Sequence, residues 1–120
     1  MNIPNNRTER RRSPRVKREI PLKIRLDDYD LVGQTRDISC IGANCTVDKY
    51  IPLFSIISII LLLPLRMNNK NNICNVHCQG VVVRIEEDHQ NSKKYNIAIY
   101  FNRLRRTDKA KLLQYIEQYL

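Results

Sequence analysis

Hydrophobic residues fall at every second position in several short stretches of this chain, and change to a helical spacing near its end. Ile20, Leu22, Ile24 and Leu26 alternate with Lys23 and Arg25, which predicts a half-buried strand over Glu19–Leu26. Asp27-Asp28-Tyr29-Asp30 and Gly33 predict a turn. Gln34–Ser39 and Ala43–Val47 predict two strands around a break at Gly42, with Ala43, Cys45 and Val47 facing one way. Ser55–Leu63 is a continuous apolar run, and its isoleucines and flanking prolines favour strand over helix. The asparagine-rich stretch Met67–Asn72 predicts a loop. Ile73–Ile85 predicts a long strand, with a bulge or bend at Gly80, and Glu86–Lys93 a charged hairpin loop. Tyr95, Ile97, Ile99 and Phe101 then alternate as a sixth strand.

In the last segment Leu112, Leu113, Ile116, Tyr119 and Leu120 share one helical stripe. Thr107 is the expected N-cap, and Asp108 suits the positive end of the helix dipole. Strands without helical crossovers predict a mainly β fold: a six-stranded antiparallel β-barrel, preceded by a flexible basic arm and closed by a C-terminal α-helix. The expected division is an arm over residues 1–18 and a barrel with its helix over 19–120.

Charge adds a partner to this picture. The chain of 120 residues carries a net charge of +9, and residues 1–25 hold nine Lys/Arg against Glu9 and Glu19. A second basic group, Arg103, Arg105, Arg106, Lys109 and Lys111, lies near the C-terminus. Such asymmetry points to an anionic partner. The polar Met1–Asn6 is no secretory signal, and the apolar run Ile51–Leu65, broken by prolines, falls short of the roughly 20 residues of a spanning helix. The expectation is a cytoplasmic protein without a transmembrane segment. There Cys40, Cys45, Cys74 and Cys78 would stay reduced, as small core residues. Cys74 and Cys78 in one strand would stand roughly 13 Å apart, and no Cys-x-x-Cys pair supports zinc.

Two short patches carry the chemistry. In Arg11-Arg12-Ser13-Pro14-Arg15, Arg11 and Arg15 offer two guanidinium groups four positions apart, each a planar donor fork suited to phosphate or to the O6/N7 edge of guanine. In Asp37-Ile38-Ser39-Cys40-Ile41-Gly42, Asp37 and Ser39 are expected on one face of a strand. The carboxylate can accept from guanine N–H groups, the hydroxyl can serve phosphate or base, and Gly42 permits close approach of the backbone.

Taken together, an Arg-x-x-x-Arg followed about twenty residues later by Asp-x-Ser-x-x-Gly resembles the signature of PilZ domains. The resemblance runs from Glu9 onward. It includes Glu9–Arg15, Thr35–Ala43, Gly80-Val81-Val82-Val83-Arg84, Tyr95–Phe101 and the closing helix. It implies a six-stranded barrel that holds cyclic di-GMP between the N-terminal segment and the barrel face, with no catalysis and no cofactor. The implied site is Arg11, Arg15, Asp37, Ser39 and Gly42, with Arg10, Arg12 and Ala98 as possible additions. The family often has glycine where this chain has Ala98, so an added methyl is expected to narrow the site.

On this reading the chain is an adaptor that signals to an unidentified downstream protein. Two other readings use the same charge: a small barrel binding single-stranded nucleic acid, or a PilZ-like interaction module without nucleotide binding. The six tyrosines are scattered and form no evident stacking platform, which counts against nucleic acid. Neither His77 nor His89 belongs to a catalytic grouping, and three glycines provide no phosphate-cradling loop.

Overall fold

The computed structural model describes residues 13–120. Strands β1 (Pro21–Arg25), β2 (Asp30–Ile38), β3 (Gly42–Val47), β4 (Ile56–Met67), β5 (Lys70–Glu87) and β6 (Tyr95–Leu104) precede one helix, α1 (Arg106–Glu117). Every pairing is antiparallel. Because β1 pairs with both β2 and β4, the sheet closes in the order β1-β2-β3-β6-β5-β4. Closure pairs both edges of the strands around the barrel, and the alternation of each strand sends one set of side chains inward. Leu22, Ile24, Ala43, Cys45, Val47, Ile57, Ile59, Leu61, Ile97 and Ile99 are all buried there.

β1 reaches β4 only over Ser58–Leu61, and β6 reaches β5 only over Cys78–Glu87, so the β4–β5 hairpin projects past both neighbours. Helix α1 packs against β4 and β5, and its buried face is Asp108, Leu112, Tyr115 and Ile116. That spacing of four, three and one places all four side chains on one stripe. The apolar run after Ile51 is therefore barrel wall, with Leu63 and Leu65 buried on the inner face of the projecting hairpin. No helix among the described residues is long and apolar enough to cross a membrane.

Several sequence expectations shift by local physics. Gly33 lies inside β2 between Leu22 and Val47, where a Cβ would meet the Thr46 carbonyl oxygen at 2.5 Å, so it serves close strand approach and no turn. The expected loop Met67–Asn72 is reduced to a two-residue turn: Met67 pairs with Lys70, and Asn68 (φ 53°) and Asn69 (φ 62°) are both left-handed. Asparagine tolerates that conformation, and a turn of this hand matches strand twist. Pro64 sits within β4 opposite Ile73, beyond the part of β4 that β1 covers, so its missing N–H leaves no ladder bond unmade. The bulge at Gly80 is present as a register shift against β6. Thr107 is not the helix cap. The chain leaves β6 so close to α1 that Arg105 occupies the cap position, without a side-chain cap bond. Leu113, Tyr119 and Leu120 are exposed, and Tyr115 takes their expected place in the core.

Candidate ligand-binding face

The basic segment enters the site by pairing with β2. Val16 and Ile38 exchange two backbone hydrogen bonds of 3.0 Å each, and Val16 is buried. Further along, the buried Thr35 hydroxyl donates to the Arg18 carbonyl and accepts from the Ile20 N–H at 2.9 Å. This staple satisfies two backbone groups that have no strand partner of their own; losing it would leave them unpaired at roughly 1–3 kcal/mol. With the segment fixed on both sides, Arg15 Nη1 reaches Asp37 Oδ1 at 2.6 Å.

From Asp37 a row of outward positions crosses four strands. Asp37 on β2 stands opposite Asn44 on β3, Asn44 opposite Ala98 on β6, and Ala98 opposite Arg84 on β5. The Asn44 amide Nδ2 donates to both carboxylate oxygens of Asp37, at 3.0 and 3.1 Å, and Arg84 Nη2 donates to Asn44 Oδ1 at 3.2 Å. Two guanidinium groups thus flank one half-buried carboxylate, and the row as a whole is cationic. Register shifts at Thr35/Asp37 and Val82/Arg84 place a bulge beside each end of the row. Bulges re-aim side chains, and here they bring Asp37 and Arg84 into line.

Asp37 retains capacity. Among the described residues Oδ1 accepts from Arg15 and Asn44, and Oδ2 accepts from Asn44 alone. A carboxylate offers about four acceptor positions, so Oδ2 can take a further donor.

The other signature residues are placed differently. β2 ends at Ile38, so Ser39 does not share the outer face with Asp37 and is fully buried. Its hydroxyl donates to the Gly42 carbonyl at 3.3 Å and accepts from the Ile41 N–H at 3.2 Å, which holds the β2–β3 turn. Gly42 is buried, and a Cβ there would run into the Ile99 carbonyl oxygen of β6. Ala98 is half-buried between Asn44 and Arg84. Arg10, Arg11 and Arg12 lie outside the described residues. Asn44 and Arg84 are not among the residues that the signature names. Their only signal was parity: Asn44 alternates with the inward Ala43 and Cys45.

The sequence matches the PilZ domain family over residues 9–118. The chain belongs to this family. Two solved structures show the same fold. The inhibitor of motility (MotI/DgrA) of Bacillus subtilis superposes with a TM-score of 0.75 at 18% identity, over 88% of this chain and 49% of that one. The PilZ domain with c-di-GMP of YcgR from Escherichia coli superposes with a TM-score of 0.65 at 17% identity, over 92% of this chain and 91% of that one. The chain thus spans about half the length of the Bacillus protein. No curated protein matches the sequence.

The cysteines of this PilZ domain belong to its interior. Cys40 and Cys45 are buried in the core, and Cys74 and Cys78 pack against it half-buried. Burial pushes the thiols of Cys45 and Cys78 up to about 12, so both stay protonated, and poorly nucleophilic, at neutral pH.

Proposed function

We propose that this PilZ domain is a cytoplasmic receptor for cyclic di-GMP that works as a binding and adaptor module, with no catalytic step. The observation that carries the reading is the row Arg15–Asp37–Asn44–Arg84, in which the half-buried Asp37 carboxylate keeps an open acceptor oxygen between two cations. Support comes from the family, and from the likeness of the fold to the YcgR domain whose structure contains c-di-GMP.

In this reading Asp37 Oδ2 accepts from the guanine N1–H and N2–H₂ edge. Arg15 and Arg84 meet phosphate or the O6/N7 edge, and Arg11, with Arg10 and Arg12, closes over the ligand from the arm. Asn44 holds the carboxylate in place. Ser39 and Gly42 act through the turn that positions Asp37. The Ala98 methyl occupies space beside the row. Ordering of the arm over the ligand would present a new surface to a downstream protein partner.

Titration calorimetry with cyclic di-GMP at physiological salt tests this, with GTP and single-stranded DNA as controls. Micromolar or tighter binding of the cyclic dinucleotide alone, lost in Arg15→Ala, is expected. Absence of binding by the intact chain would overturn the proposal.

A further inference from the structure

On another part of the barrel, a cleft of about 700 Å³ opens across β1, β4, β5 and β6. Its outer rows follow the strand register. Arg25 stands opposite Ser58, Ser58 opposite Gln79 and Gln79 opposite Arg103, while Lys23 stands opposite Ile60 and Ile60 opposite His77. Arg105, at the start of α1, completes one rim. Lys23 and Arg25 form the other. Among the described residues no carboxylate lines the cleft. Arg25 shares its charge with Asp30, whereas Lys23, Arg103 and Arg105 have no acidic partner among the described residues.

The floor differs from the rims. Between the rims it carries Ile60, Cys78 and Leu104 together with the polar Ser58, His77 and Gln79, and no Phe, Tyr or Trp lines it. Five of the six tyrosines have partners elsewhere: Tyr50 against Tyr95, Tyr115 against Tyr119, Tyr119 also under the Arg18 guanidinium, and Tyr29 near the Lys49 amine, while the exposed Tyr100 does not line the cleft. A single strand of nucleic acid would find phosphate partners here but only the one imidazole of His77 as a ring on which to stack its bases. A polypeptide with acidic flanks and an apolar stripe would match both the rims and the floor. Along the curve of the sheet the rims are three strand spacings apart, roughly 14 Å and less in a straight line, and a helix with its side chains is about 10–12 Å across. On β5 and β6 the cleft lies five residues from the Arg84–Ala98 pair, roughly 16 Å along the strands, so both sites can be filled at once.

We infer that this cleft is a docking site for an acidic amphipathic helix of a partner protein, separate from the messenger site. Fluorescence anisotropy tests it, with the intact chain and a labelled helical Glu/Leu peptide about five turns long. The competitor is a single-stranded DNA of equal charge. The peptide is expected to bind and to resist the DNA. Arg103→Glu with Arg105→Glu on one rim, and Lys23→Glu on the other, are each expected to weaken it about tenfold. Arg66→Glu with Lys70→Glu, the same charge change on the hairpin tip, is expected to have little effect. Circular dichroism and an unchanged thermal midpoint serve as the check that the variants are folded. No peptide binding, an equal loss in the hairpin-tip variant, or preferential binding of the DNA would each overturn the inference.

Discussion

Two arginine–aspartate pairs mark two regions of this barrel, and they do different things with the same chemistry. Arg25 and Asp30 are register partners at the end of the β1–β2 hairpin. Their contacts are 3.0 and 3.4 Å, with side chains 72% and 36% exposed. Arg15 and Asp37 join a docked segment to the barrel wall through one contact of 2.6 Å, and Asp37 is only 21% exposed. The first pair closes a short loop that the strands already close, and water screens it, so it adds little measurable stability. The second sits in a chain of hydrogen bonds running through Asn44 to Arg84. The two Asn44–Asp37 bonds are partly buried, which strengthens them, whereas the Arg15 and Arg84 bonds lie at the surface. A pair becomes useful for recognition through what surrounds it.

The largest effect should come from breaking the second pair. Arg15→Ala is expected to weaken cyclic di-GMP binding by about 1.5–3 kcal/mol, roughly tenfold to a hundredfold, in titration calorimetry. Its thermal midpoint should barely move, because Asn44 still holds the carboxylate. Asp37→Ala should match that loss of affinity. Arg25→Ala, which removes the same side chain from the other pair, should leave messenger affinity unchanged. Equal losses in Arg15→Ala and Arg25→Ala would mean that the messenger responds only to overall charge.

A smaller effect is expected one step along the row. Asn44→Ala removes the two bonds that orient Asp37 and should weaken binding by about 1 kcal/mol. Because Asn44 and Arg15 share one carboxylate, the double variant Arg15→Ala/Asn44→Ala should depart from additivity by more than about 0.5 kcal/mol. Strict additivity would show that the two residues act on the ligand independently.

This contrast also explains how far the sequence could be read. The strands, their inward faces and the bulge at Gly80 were legible because alternation is a local property of each segment. Arg15 and Asp37 were legible, not as an ion pair with each other but as candidate ligand-binding residues, because the signature names both. Asn44 and Arg84 were not. They join the site through lateral register across β3, β6 and β5, and register is set by pairing between segments that no local pattern reveals. Ser39 was misplaced for a related reason. Alternation assigns it to the face of Asp37, but the ladder ends at Ile38 and the turn draws the hydroxyl inward. The Asn68-Asn69 turn was read as a longer loop because composition alone does not distinguish a two-residue reversal from a coil.

The smallest effect belongs to the exposed pair and can be read by pH. The Asp30 carboxyl is held below its ordinary 3.8, chiefly by the hydrogen bond from Arg25, with the charges of Arg25 and Lys23 adding to it and slight burial opposing. A carboxyl whose folded value is depressed supports folding above its unfolded value, and that support disappears as pH falls through the folded value. NMR titration should therefore give Asp30 a midpoint below 3.8 that returns toward 3.8 in Arg25→Ala and approaches it as salt is added. The acid limb of the unfolding curve should hardly move in that variant, since both side chains are solvated in either state. A marked loss of acid stability would instead show that the hairpin clasp is coupled to the barrel, and the distinction between a local pair and one embedded in a network would fail.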